Sequence, residues 1–244
     1  MRGFVSALGP EWAGLSLTMP LKEAAFEVAD EVSDLAREVG AINTLVHRPD
    51  GGWSGENTDV YGVSQALREA ACPRVTSALV LGSGATARSV VAALASLGCQ
   101  QVTFAVRSGA RPQTLGQARR AGLKVDVVGL TQVAQVAARL ADALVVVSTL
   151  PANALAAKTV ADLLLPDGLR LPDHLLLDVV YAGWPTPLAQ TFQQAGATVV
   201  SGFEMLLHQG AEQMHLMTGL LAPVEQMRTA GLAAIAPRAR GGSS

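Results

Sequence analysis

A chain of 244 residues, 50% hydrophobic and only 16% charged, is long enough to bury a sizeable core as one large or two small domains. Its formal net charge is -2 and its basic residues are scattered apart from Arg119-Arg120, which excludes a nucleic-acid or anionic-membrane footprint and favours small-molecule chemistry. Only Cys72 and Cys99 are present, without metal-ligand spacing. Met1-Arg2-Gly3 opens no apolar signal and no apolar run is long enough for a membrane helix, so the expected setting is a reducing cytoplasm.

In chain order, the sequence pattern predicts a helix over Glu23–Glu31, a strand over Ala41–His47 that ends at the Pro49-Asp50-Gly51-Gly52 turn, and a helix over Thr58–Ala71. From Ser77 onward, apolar runs of strand length alternate with alanine-rich segments of helical period. The strands are expected at Ala78–Leu81, Gln101–Val106, Lys124–Val128, Ala143–Val147, Leu175–Val179 and Thr198–Val200. Two helices follow, over Glu204–Thr218 and Pro223–Ile235, and then a polar tail, Pro237–Ser244, expected to be disordered. This alternation predicts an α/β fold: a doubly wound Rossmann-type parallel sheet with a second, smaller α/β lobe in front of it.

The first strand of the six runs into Gly82-Ser83-Gly84-Ala85-Thr86-Ala87, a G-x-G-x-x-A turn opening a helix. Such a turn lets the backbone approach a pyrophosphate, whose charge the free N–H groups and dipole of the helix stabilise. Gly82, Ser83, Gly84 and Ala85 are therefore candidate cofactor contacts. After the second strand, an NAD enzyme places an acid on the ribose 2'-hydroxyl. Here Arg107, Ser108 and Arg111 stand instead, suited to clamping a 2'-phosphate, so NADP is the expected cofactor. His208 and His215, with no carboxylate or cysteine read at ligand spacing, predict no metal. Trp12, Trp53 and Trp184, with no basic stripe beside them, are expected to be core or loop anchors rather than a stacking platform.

Several further segments occur in a fixed order: Gly14-Leu-Ser-Leu-Thr-Met-Pro-Leu-Lys22, Gly40-Ala-Ile-Asn-Thr-Leu45, Gly55-Glu-Asn-Thr-Asp59, Asp178-Val-Val-Tyr181 with Thr186-Pro-Leu188, and Gly202-Phe-Glu-Met-Leu-Leu-His-Gln209. Together with the glycine turn and Arg107-Ser108 they resemble the shikimate dehydrogenases of the aromatic-amino-acid pathway, most like actinobacterial members. The resemblance covers about Gly14 to Leu232. It implies reversible, NADPH-dependent reduction of the 3-keto group of 3-dehydroshikimate to give shikimate. It also implies a catalytic pair, Lys22 and Asp59, with Thr18, Asn43 and Gln209 on substrate hydroxyls and Tyr181 near substrate and nicotinamide. Gly202 and Met205 would border the nicotinamide ring, and Ser148, Thr149 and Leu150 would form a loop beside the cofactor. The chemistry agrees: hydride delivery to a ketone builds negative charge on oxygen, which a cation within hydrogen-bond reach stabilises and protonates. A carboxylate beside such a lysine keeps it charged and in place.

The expected division is 1–72 substrate and catalytic lobe, 73–203 NADP-binding domain, 204–236 helices packing back toward the smaller lobe, and 237–244 tail. The family's opening strand-helix-strand unit, with its carboxylate-binding serine pair, has no counterpart here. Ser6 and Ser16 are the only serines before Lys22, Ser16 stands where the family often has asparagine, and so does Val106. A shortened lobe leaves sheet edges to cover. Three consequences are open: a mis-set start or engineered deletion with impaired activity, an oligomer such as a homodimer that buries the exposed face, or a homologue that keeps NADP binding but has changed or lost its substrate. Two competing functions are a quinate/shikimate dehydrogenase using NAD, opposed by Arg107 and the missing acid, and a non-catalytic NADP-binding homologue, opposed by Lys22 and Asp59.

Overall fold

The computed structural model describes residues 1–70, 75–152, 154 and 170–236. The first part holds α1 (Arg2–Val5), β1 (Gly14–Ser16), α2 (Leu21–Ala24), β2 (Glu31–Val32), α3 (Asp34–Val39), β3 (Thr44–His47), β4 (Trp53–Glu56) and α4 (Asp59–Glu69). Its strands form a four-stranded sheet in the order β1-β3-β4-β2, antiparallel except for the β2/β4 pair. Ile42, Leu45, Trp53 and Ala25 fill the core beneath it.

The second part alternates strand and helix: β5 (Ser77–Leu81), α5 (Ala85–Ser96), β6 (Gln101–Val106), α6 (Pro112–Arg120), β7 (Lys124–Gly129), α7 (Val133–Asp142), β8 (Val145–Ser148), β9 (Leu175–Asp178), α8 (Pro187–Gln194) and β10 (Thr198–Ser201). The six strands are parallel in the order β10-β9-β8-β5-β6-β7, the doubly wound order with its switch point between β5 and β8. Side chains alternate across the sheet, as strand geometry requires. Ala78 and Val80 of β5 enter the core on one face, Leu79 and Leu81 the core on the other. Two helices close the chain, α9 (Gly202–Thr218) and α10 (Val224–Ile235). Among the described residues no helix is long and apolar enough to cross a membrane.

Four expectations need correction or placement. The helix over Glu23–Glu31 stops early: after α2 the chain makes one 3-10 turn, Ala25–Glu27, and then pairs with β4. The reason lies across the sheet, where the Asp30 N–H donates to the Trp53 carbonyl at 2.8 Å and the Asp30 carboxylate accepts from the Trp53 N–H at 2.8 Å. The strand expected over Ala41–His47 starts only at Thr44, since the Ile42 N–H turns away to the Lys22 carbonyl at 2.9 Å. The fourth strand of the larger sheet begins at Val145 rather than Ala143, because the Ala143 N–H still caps α7 through the Leu140 carbonyl. The tail Pro237–Ser244 lies outside the described residues.

The long helix α9 leaves β10 and crosses α4. At the crossing, a Cβ on Gly62 would lie 2.6 Å from the Met205 carbonyl oxygen and 3.0 Å from Gln209 Cβ. Glycine here sets the interhelical distance. Gly62→Ala is expected to destabilise the fold by about 1–3 kcal/mol by overpacking. Thermal unfolding measures it, and an unchanged midpoint would show that α9 can retreat freely.

Candidate active site

Lys22 stands on α2, held by the backbone: the Leu21 N–H donates to the Thr18 carbonyl at 2.8 Å and the Ile42 N–H to the Lys22 carbonyl at 2.9 Å. Asp59 is the first residue of α4, where a negative charge complements the helix dipole. Lys22 Nζ donates to Asp59 Oδ2 at 2.6 Å, with side chains 12% and 5% exposed. The other carboxylate oxygen accepts from Asn43 Nδ2 at 2.9 Å. Asn43 is buried behind this pair: Nδ2 also reaches Thr58 Oγ1 and Gln209 Oε1, and Oδ1 accepts the Thr58 N–H at 2.8 Å. These bonds orient Asp59.

The glycine turn has the backbone it needs. Gly82 takes φ +100°, a conformation that L side chains rarely adopt, and a Cβ there would sit 2.6 Å from Thr149 Oγ1. Gly84 meets open space, so the turn leaves room for a pyrophosphate at the start of α5. The turn is braced from α6, a contact not foreseen from the sequence. Ser83 Oγ accepts the Arg111 N–H at 3.1 Å, and the Ser83 carbonyl accepts from the buried Thr114 hydroxyl at 2.7 Å.

Two cavities meet at Lys22. One, of ≈ 370 Å³, is lined by Thr18, Lys22, Gly84, Ala85, Arg111 and Thr149. The other, of ≈ 360 Å³, is lined by Lys22, Asp59, Tyr181, Gly202, Met205 and Gln209. Thr18 and Thr86 line both, and Thr86 was missed because its only signal is its place in the turn. Arg107 and Ser108 are exposed at the end of β6, outside both linings. Ser148 and Leu150 line a separate recess of ≈ 20 Å³ with Asp178. The open glycine cradle, the helix start and the Arg111 side chain fit a phosphorylated dinucleotide.

Burial pushes the Asp178 carboxyl above its ordinary value of 3.8, while hydrogen bonds from Thr186, Val180 and Ser148 pull it part of the way back. The folded protein then holds this proton more tightly than the unfolded chain, so the group's contribution to stability falls as pH rises from near 3.8 through the raised value. Asp178→Asn is expected to gain stability relative to the parent as pH rises from near 3.8 through the raised value. Parallel pH–stability curves for the two proteins would refute it.

Contrary to the expectation for His208, a carboxylate does stand at helical spacing from it: Glu204 precedes it by four residues on α9. Ligand atoms of Glu69, Glu204 and His208 lie within 4.8 Å of one another. Arg228 of α10 already occupies the cluster, donating to Glu69 Oε2 at 2.6 Å and to Glu204 Oε2 at 3.0 Å and pairing with Glu225. The protein thus supplies its own cation, which docks α10 onto α4 and α9.

Residues 1–45 match the family model described as the shikimate dehydrogenase substrate binding domain, and residues 202–230 match the shikimate 5'-dehydrogenase C-terminal domain. The shikimate dehydrogenase (NADP(+)) of Methanopyrus kandleri is 37% identical over 223 residues, 90% of this chain and 76% of that protein. A shikimate 5-dehydrogenase from Mycobacterium fortuitum superposes with a TM-score of 0.80 at 44% identity, covering 94% of this chain and 81% of that one. The Thermus thermophilus enzyme, solved in complex with NADP(H) and shikimate, superposes with a TM-score of 0.77 at 30% identity, covering 96% and 84%. Identity sustained over most of both chains, on the same fold, places this protein in the shikimate dehydrogenase family.

Proposed function

We propose that this protein is an NADP-dependent shikimate dehydrogenase, which interconverts 3-dehydroshikimate and shikimate. The observation that carries the reading is the Lys22–Asp59 pair, 2.6 Å apart, where the cavity beside the glycine turn meets the cavity under Tyr181 and Gln209. NADPH, when bound, supplies the hydride. Gly82, Ser83, Gly84 and Ala85 would hold its pyrophosphate, Arg107, Ser108 and Arg111 its 2'-phosphate, and Gly202 and Met205 would border its nicotinamide.

The chain's own part is acid catalysis and positioning. During reduction the Lys22 ammonium hydrogen-bonds the substrate carbonyl oxygen, stabilises the charge that develops there and delivers a proton to it. In the oxidative direction the neutral amine takes that proton back from the hydroxyl. Asp59 holds the ammonium in place, and Asn43 holds Asp59. Thr18, Gln209 and Tyr181 line the substrate side and would orient its hydroxyls and ring.

Shikimate and NADP mixed with the protein should raise the absorbance of the reduced nicotinamide at ~340 nm. A fluorescence titration of NADPH runs beside it. Binding of NADPH without turnover of shikimate would leave a dehydrogenase scaffold with another substrate; turnover with NAD alone would overturn the cofactor reading.

A further inference from the structure

We propose that two consecutive residues of the cofactor-turn helix, Arg88 and Ser89, are positioning residues that hold the catalytic lysine and aspartate in register with the cofactor. The proposal rests on the dehydrogenase reading above. Neighbouring residues on a helix point about 100° apart, so each can engage a different element. Both side chains are buried, and both leave α5 for the smaller lobe.

Arg88 Nε donates to the Val39 carbonyl at 2.7 Å, and Nη2 donates to the Gly40 carbonyl at 2.8 Å and to Glu23 Oε1 at 2.7 Å. Glu23 directly follows Lys22 on α2. Ser89 Oγ accepts from Asn57 Nδ2 at 3.3 Å. Asn57 in turn donates to the Ala41 carbonyl at 2.8 Å, and its Oδ1 accepts the Val60 N–H at 3.2 Å, which fixes the first turn of α4 carrying Asp59.

The segment Val39–Asn43 is therefore a shared rail. Arg88 grips Val39 and Gly40, Asn57 grips Ala41, the Ile42 N–H holds the Lys22 carbonyl, and Asn43 holds Asp59. Both halves of the catalytic pair are thus tied to the helix whose first residues form the phosphate cradle. A charged guanidinium buried among carbonyls holds a fixed geometry because each lost bond leaves a desolvated group. Hydride transfer is steep in distance, so an error of about 1 Å transmitted along this rail costs roughly 100-fold in rate.

Arg88→Met, Arg88→Lys, Ser89→Ala and Glu23→Gln test this in the full-length protein. The first readout needs no turnover: amide hydrogen exchange with and without saturating NADPH. NADPH is expected to slow exchange at Ile42 in the parent; Arg88→Met is expected to speed it about tenfold and to remove the effect of NADPH, with β6 unchanged. The second readout is kinetic. For Arg88→Met, kcat is expected to fall about 10- to 100-fold, with the NADPH Kd within about threefold and a larger isotope effect from deuterated NADPH in the reductive direction. Arg88→Lys should recover part of the loss, and Ser89→Ala should lose about threefold. Should Arg88→Met not fold, Arg88→Lys and Glu23→Gln carry the same comparison.

A parent inactive toward shikimate overturns the substrate reading alone, and exchange at Ile42 still decides the positioning claim. Unchanged exchange at Ile42 together with unchanged kcat in a folded Arg88 variant overturns the claim. So does faster exchange spread evenly over both sheets with kcat per folded molecule intact, which assigns Arg88 to stability only.

Discussion

Replacing Lys22 with alanine is expected to lower turnover of shikimate about 1000-fold while the NADPH Kd moves less than about threefold. The lysine faces both cavities, but no glycine-turn group depends on it for a hydrogen bond in the structure, so cofactor binding has little to lose. Asp59, 5% exposed beside Lys22 in the parent, loses its cationic partner in the variant, and stability falls along with activity. Lys22→Met/Asp59→Asn separates the two effects, because it removes both charges together. Its stability is expected to return toward the parent's, its turnover to stay at the single variant's level. Equal losses of turnover and NADPH affinity in Lys22→Ala would mean misfolding, and retained turnover would remove Lys22 from the chemistry.

Arg107→Ala is expected to reduce kcat/KM for NADP about 10- to 100-fold and to leave the value for NAD nearly unchanged. A charge-assisted bond to a phosphate is lost only by the cofactor that carries that phosphate. Arg107 is exposed at the end of β6 with Ser108 beside it, while Arg111 lines the cavity from the start of α6. Arg111→Ala should show the same selectivity with a smaller loss, since its backbone N–H still braces Ser83. Rising salt should weaken NADP more than NAD in the parent and narrow that difference in the variants. A parallel loss for both cofactors would show that the arginines serve the turn rather than the 2'-phosphate.

The parallel sheet was legible because its four inner strands, β5, β6, β8 and β9, are apolar runs buried on both faces, while the edge strands β7 and β10, which are partly exposed, follow from the alternation of strand and helix in chain order. Gln101–Val106 agrees to the residue, and Gly82 at φ +100° is where the turn needs it. The smaller sheet was harder to read. Glu31–Val32 and Trp53–Glu56 are too short to show a period, and Ser33, which caps α3 by accepting the Ala36 N–H at 3.3 Å, passed unread.

By itself the sequence determined the doubly wound sheet and the cofactor turn, carried by short local patterns, while Lys22 and Asp59 were paired only through the resemblance to a known family. The tertiary structure alone decided what surrounds that pair. Asn43 meets Thr58 and Asp59 across a strand turn and Gln209 from 166 positions away, through the crossing of α9 over α4. Arg88 meets Glu23 from 65 positions away, and Arg228 meets Glu69 from 159. Periodicity records which residues face an apolar interior; it carries no record of which polar side chains converge there, because that is set by the packing of helices far apart in the chain.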